Sequence, residues 1–142
     1  MRLRSQIAIL LALALPVASA VAAAPAVRAP KSGSQYAGSP GDVLLSVSGR
    51  SLELMAFSFP CGTASGRTSL NDFPLKRTSA GYRFNADAHG SITYSDGYPD
   101  ENGEVHMSGR FALNAKTVRG HLRVKSKRCG DTGNLRWRAA VR

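Results

Sequence analysis

The strongest chemistry in this 142-residue chain belongs to its cations. Arg110, Arg119, His121, Arg123, Lys125, Arg136 and Arg138 crowd the last third, and Asp131 is the one acid between residues 110 and 142. Guanidinium forks and ammonium groups at that density bind oxyanions, so the expected partner is an anionic polymer, lipid head groups or a cell-envelope surface. Residues 81–104 have the opposite balance, Arg83 against Asp87, Asp96, Asp100, Glu101 and Glu104. Other reactive groups lack a pattern. His89, His106 and His121 match no zinc spacing and have no paired cysteines. No serine sits in Gly-x-Ser-x-Gly, and no Asp-His pair is placed to activate one. We therefore expect no metal, no cofactor and no catalytic residue. Asp96, Asp100, Asn102 and Glu104 offer oxygens that calcium would accept, but Asp-Gly and Asn-Gly pairs read better as turns. Tyr94 and Tyr98 beside that tip are candidate contact residues for a carbohydrate or a protein.

Cys61 and Cys129 are the two cysteines. No Cys-x-x-Cys occurs and neither cysteine has a histidine neighbour, so a structural disulfide is expected, with one possible connectivity. Closing that loop stabilises the fold by about 4 kcal/mol on the chain-entropy account.

The amino terminus supports export. Arg2 and Arg4 form a positive n-region, Ile7–Val17 a short apolar run, and Ala18-Ser19-Ala20 a small-x-small cleavage site near Ala20. The run is about half the ~20 residues of a bilayer span, Arg2-Leu3-Arg4 is not a twin-arginine pair, and no cysteine follows for a lipid anchor. The expected location is secreted or periplasmic, by the general export route. The expected organisation is a signal peptide over 1–20, a flexible Ala/Pro/Gly/Ser-rich leader over 21–40 and a single β-domain over 41–142, with Tyr36 and Gly38 as a possible first strand start.

The elements that must hold the cations are spelled by alternation. Val105, Met107, Gly109, Phe111 and Leu113 alternate with His106, Ser108 and Arg110. Val118, Gly120, Leu122 and Val124 alternate with Arg119, His121, Arg123 and Lys125, and Leu135, Trp137, Ala139 and Val141 with Arg136 and Arg138. Successive side chains of a strand face opposite ways, so these three strands have one dry face and one cationic face. Earlier, Val43–Ser48 and Leu52–Phe59 form a hairpin, Gly62–Asp72 a polar loop, Phe73–Arg77 a short strand, Tyr82–Ala88 a strand and Ser91–Tyr94 another. Residues 95–103 are a turn-rich tip. About eight short strands imply an all-β antiparallel sandwich or closed barrel. The expected register sets Phe111 opposite Gly120 and Leu122 opposite Gly109, each glycine leaving room for the larger side chain. On the wet face it sets His106 opposite Lys125, Ser108 opposite Arg123 and Arg110 opposite His121. Trp137 is expected on Leu122 or Val124, and Arg136 opposite Arg123 or Lys125. Phe111 and Trp137 fall on the dry face, so the cationic face has no stacking platforms for bases, and sequence-specific nucleic acid is not expected.

Gly81-Tyr82-Arg83-Phe84, Gly109-Arg110-Phe111, Gly120–Arg123 and Cys129–Gly133 with Arg136–Ala139 resemble a small exported β-domain of uncharacterised bacterial proteins. The likeness covers Tyr36 to Val141, and the signal peptide and Cys61 suit that group. It implies a secreted β-domain and assigns no site residues. The resulting expectation is a secreted, non-enzymatic binding module with a cationic sheet face. A β-barrel carrier of a small lipid-like ligand and a small secreted hydrolase are the alternatives. An internal pocket lined by Met107, Phe111, Leu122 and Trp137 would favour the carrier.

Overall fold

A computed structural model describes residues 16–40 and 42–142. The expected n-region and most of the apolar run lie outside the described residues. The strands are β1 (Gln35–Ser39), β2 (Val43–Ser48), β3 (Ser51–Cys61), β4 (Ala64–Pro74), β5 (Lys76–Thr78), β6 (Gly81–Tyr94), β7 (Glu101–Phe111), β8 (Thr117–Ser126), β9 (Gly130–Asp131) and β10 (Leu135–Val141). Eight of them close an antiparallel barrel in the order β1-β2-β3-β4-β6-β7-β8-β10, and β10 completes the ring by pairing with both β8 and β1. β5 pairs only with β6, and β9 only with β8. The barrel resolves the two all-β options, and no helix occurs among the described residues.

An eight-stranded barrel is just wide enough for its inward side chains to fill it or to hold one small ligand. Here the alternating apolar residues meet inside. Leu45, Met55, Phe57, Phe84, Ile92, Val105, Phe111, Val118 and Val124 are all buried. Tyr36 packs edge-on against Phe111, ring centroids 5.2 Å apart, and its hydroxyl donates to the Ala115 carbonyl at 2.6 Å. That tyrosine belongs to β1, so the strand that closes the barrel comes from the stretch read as leader. Without it β2 and β10 would be open edges.

Two segments differ from the sequence reading. Gly62–Asp72, read as a loop, is mostly strand β4, because its inward positions are Gly66, Thr68 and Leu70 rather than an apolar series. A Cβ on Gly66 would sit 2.4 Å from the Phe59 ring, so the phenyl group of β3 fills the place of a β4 side chain. The interval Tyr82–Tyr94, read as two strands, is the single strand β6. Its apparent break at Gly90 is a packing glycine, since a Cβ there would lie 2.7 Å from Thr68 Oγ1. The strand expected at Phe73–Arg77 divides accordingly, Phe73 and Pro74 ending β4 and Lys76 opening β5.

Cys61 and Cys129 are bonded, with Cα atoms 5.1 Å apart. The bridge fastens the end of β3 to the β8–β9 turn, and such a bond is compatible with a location outside the cytoplasm, where disulfides persist.

Candidate functional site: an unpaired arginine row beside an apolar slot

The inward/outward parity of β7, β8 and β10 is as the sequence spells it, but the register differs by one pleat. Phe111 faces Val118, Gly109 faces Gly120, and Met107 faces Leu122. On β10, Trp137 faces Gly120, Leu135 faces Leu122, and Arg136 faces His121. The two-residue shift keeps the parity of each strand while changing every partner, and Val141, expected on the dry face, is exposed at the end of β10. Its cause is the turn, which occupies Ala112–Lys116 and is closed by Ala112 N donating to Thr117 O at 2.9 Å. Ala115 takes the left-handed conformation there, φ 58°.

This register aligns an inward row across four strands, Phe84–Gly109–Gly120–Trp137. The facing glycines carry no side chains, and the Phe84 and Trp137 rings close over them with centroids 6.2 Å apart. A Cβ at Gly109 would lie 2.5 Å from the Phe84 ring, and one at Gly120 would lie 1.7 Å from the Ser108 carbonyl oxygen. These glycines therefore make room for Phe84, Trp137 and neighbouring backbone, not for Phe111 and Leu122.

The adjacent outward row is Arg83–Arg110–Arg119–Arg138, one arginine on each of four neighbouring strands. Strands in a sheet lie about 4.8 Å apart, so like charges are set side by side, an arrangement that disfavours folding unless an anion is supplied. Arg136 flanks the row, with His121 and Ser108 beside it. All five arginines are exposed, and among the described residues no carboxylate lies within 4.0 Å of any of them. They rim an open depression of about 890 Å³ whose floor includes Gly109, Gly120 and Trp137.

The expected cationic face thus divides. Arg110, Arg119, Arg136 and Arg138 are unpaired, with His121 among them. Arg123 and Lys125 are neutralised: Arg123 Nε donates to Asp131 Oδ1 at 2.8 Å, and Lys125 Nζ lies 3.8 Å from Glu104. The hydrogen bond from Arg123 holds the Asp131 carboxyl well below the usual carboxylate range and raises the guanidinium in return. Arg83 is a member of the row that the sequence reading leaves out. Its signal is there in Tyr82-Arg83-Phe84, an outward position between two aromatics, but the acids that follow it mask it.

The acidic tip is committed elsewhere. Arg128 pairs with Asp96 and lies over the rings of Tyr98 and Tyr94, 4.2 and 5.1 Å from their centroids. Tyr94, expected to be exposed, is buried; burial and the neighbouring Glu101 raise its hydroxyl, which donates to the Glu101 carboxylate. That bond, with the Arg128 backbone N–H, keeps Glu101 below the ordinary carboxylate range. This cluster stacks against the disulfide, with Cys129 Sγ 3.6 Å from the Tyr94 hydroxyl. Tyr98 alone remains half-exposed. His106 meets Asp87 at 2.5 Å, and among the described residues no three His, Cys, Asp or Glu groups converge on a metal position.

Beside the arginines the barrel wall has a gap. β2 begins at Val43 and its pairing with β3 reaches only Ala56, so Phe57–Cys61 have β4 on one side and no described strand on the other. Likewise β1 ends opposite Arg138, leaving Leu135–Trp137 paired only with β8. Between these two edges opens a slot of about 370 Å³, lined by Phe57, Phe59, Met107, Leu122, Leu135 and Trp137, with Pro40 and Arg136 at its rim. Phe111, named with these residues in the sequence reading, is instead packed in the core. The Trp137 indole is 5% exposed and its Nε1 has no hydrogen-bond partner.

The chain matches no family model, no curated protein and no solved structure. Its site must be read from its own residues.

Proposed function

We propose that this chain is a secreted, non-enzymatic binding module that holds anionic polymers or envelope surfaces on the row Arg83, Arg110, Arg119 and Arg138, with Arg136 beside it. One observation supports this above the others: among the described residues every arginine of the row lacks a carboxylate, while Arg123, Lys125 and Arg128 each have one. Unpaired guanidinium groups keep their full donor capacity for a bidentate oxyanion contact. An exposed ion pair has already spent part of that capacity. The apolar slot supports the carrier alternative as a second reading, because about 370 Å³ falls within the range of small-molecule sites.

The test is retention on heparin and on vesicles containing phosphatidylglycerol across a salt series. Each polymer contact releases counterions, so retention falls steeply with salt, and Arg110→Ser with Arg119→Ser reduces the slope of log affinity against log salt by roughly two. A slope unchanged in that variant contradicts the assignment.

A further inference from the structure

The arginine depression and the apolar slot adjoin. Pro40, Arg136 and Trp137 line both, so a guanidinium-rimmed surface borders a dry opening in the barrel wall. The polar and apolar halves are ordered along one path, charge outside and hydrocarbon inside. Trp137, the large apolar residue shared by both, is buried, and among the described residues its indole N–H has no acceptor.

We infer that the site takes a single-chain amphiphile with a phosphate head, the phosphate on Arg136 and Arg138 and the alkyl chain in the slot between β3 and β10. This rests on reading the arginine row as an anion-binding surface and names what it binds. A phosphate rather than a carboxylate head follows from charge: several unpaired guanidinium groups stand within one depression, and a phosphate monoester brings up to two negative charges and three acceptor oxygens. A single chain follows from the slot, which is one opening bounded by two strand edges. The apolar floor sets affinity by chain length, and the arginines set it by head group.

Trp137 is the sole tryptophan of the chain and lines the slot, so its fluorescence reads occupancy directly. The probes are hexyl, octyl and decyl phosphate below their micellar concentrations, with inorganic phosphate and decyltrimethylammonium as controls, titrated into the full processed chain. Expected is a Trp137 emission change whose Kd falls about fourfold for each added methylene until the slot is filled. Arg136→Ser with Arg138→Ser weakens decyl phosphate about tenfold or more. Leu135→Asn, at a partly exposed strand start, flattens the chain-length series while leaving heparin retention in place. Affinity independent of chain length, with heparin and vesicle retention intact, overturns the amphiphile and leaves the anion-binding face standing. Equal binding of decyltrimethylammonium overturns the phosphate head, since the arginines would then play no part in holding the amphiphile. No response to any alkyl phosphate overturns the inference outright, whatever the variants do.

Discussion

Arg123 and Arg136 stand on neighbouring strands, two residues out of register, and both are spelled as outward cations. Their difference lies in β9, the two-residue Gly130–Asp131 strand that folds back along β8 and sets Asp131 beside Lys125 and Arg123. No comparable carboxylate approaches the β10 arginines. Alternation along a strand reveals which way a side chain points; it cannot reveal a partner delivered by a turn. The Asp131 bond also has a pH consequence. Its folded-state pKa is depressed, as is that of Glu101, so their stabilising contribution is complete above the ordinary carboxylate range and disappears as pH falls through the folded values. Urea midpoints measured from pH 7 down to pH 2 should therefore decline on acidification. The decline should be shallower in Asp131→Asn, which starts from a lower midpoint at neutral pH. An identical pH dependence in both proteins would show that the ion pair contributes nothing.

At the level of elements, β7, β8 and β10 were legible because large apolar residues alternate with charged ones in each. β4 was not, because Gly66 and Thr68 hold inward positions and Phe59 fills the space at Gly66 from the next strand. The facing pairs differ from the expected ones by two residues, since hydrophobic matching is satisfied equally by either of two in-phase registers and the turn at Ala112–Lys116 decides between them. The closing strand β1 was legible only as a hint in Tyr36 and Gly38. Gly38 shows why it can close the ring: a Cβ there would fall 1.7 Å from the Arg138 carbonyl oxygen and 2.5 Å from Ala139 Cα. Gly38→Ala should cost about 1–3 kcal/mol in urea unfolding, as overpacking does, and should speed amide exchange along the β1–β10 seam before other strands. Full wild-type stability in that variant would mean the seam is looser than described.

For the whole molecule, charge and closure act together. Asp87, Asp96, Glu104 and Asp131 each engage a partner on the β6–β9 side of the barrel, and the arginine row is left facing water. The formal net charge of +10 was visible in the composition, but which cations supply an available surface required the fold. Of the slot, the sequence named Met107, Leu122 and Trp137 as lining, but its opening arises from the unequal lengths of β1, β2 and β3 rather than from any residue pattern. Paired and unpaired cations differ in what they leave for an anion. The measurement that tests this most directly is heparin elution of two variants with equal loss of charge, Arg119→Ser with Arg138→Ser and Arg123→Ser with Lys125→Ser. The first pair should elute at clearly lower salt than the second, which should stay close to wild type; co-elution of the two variants would contradict the account.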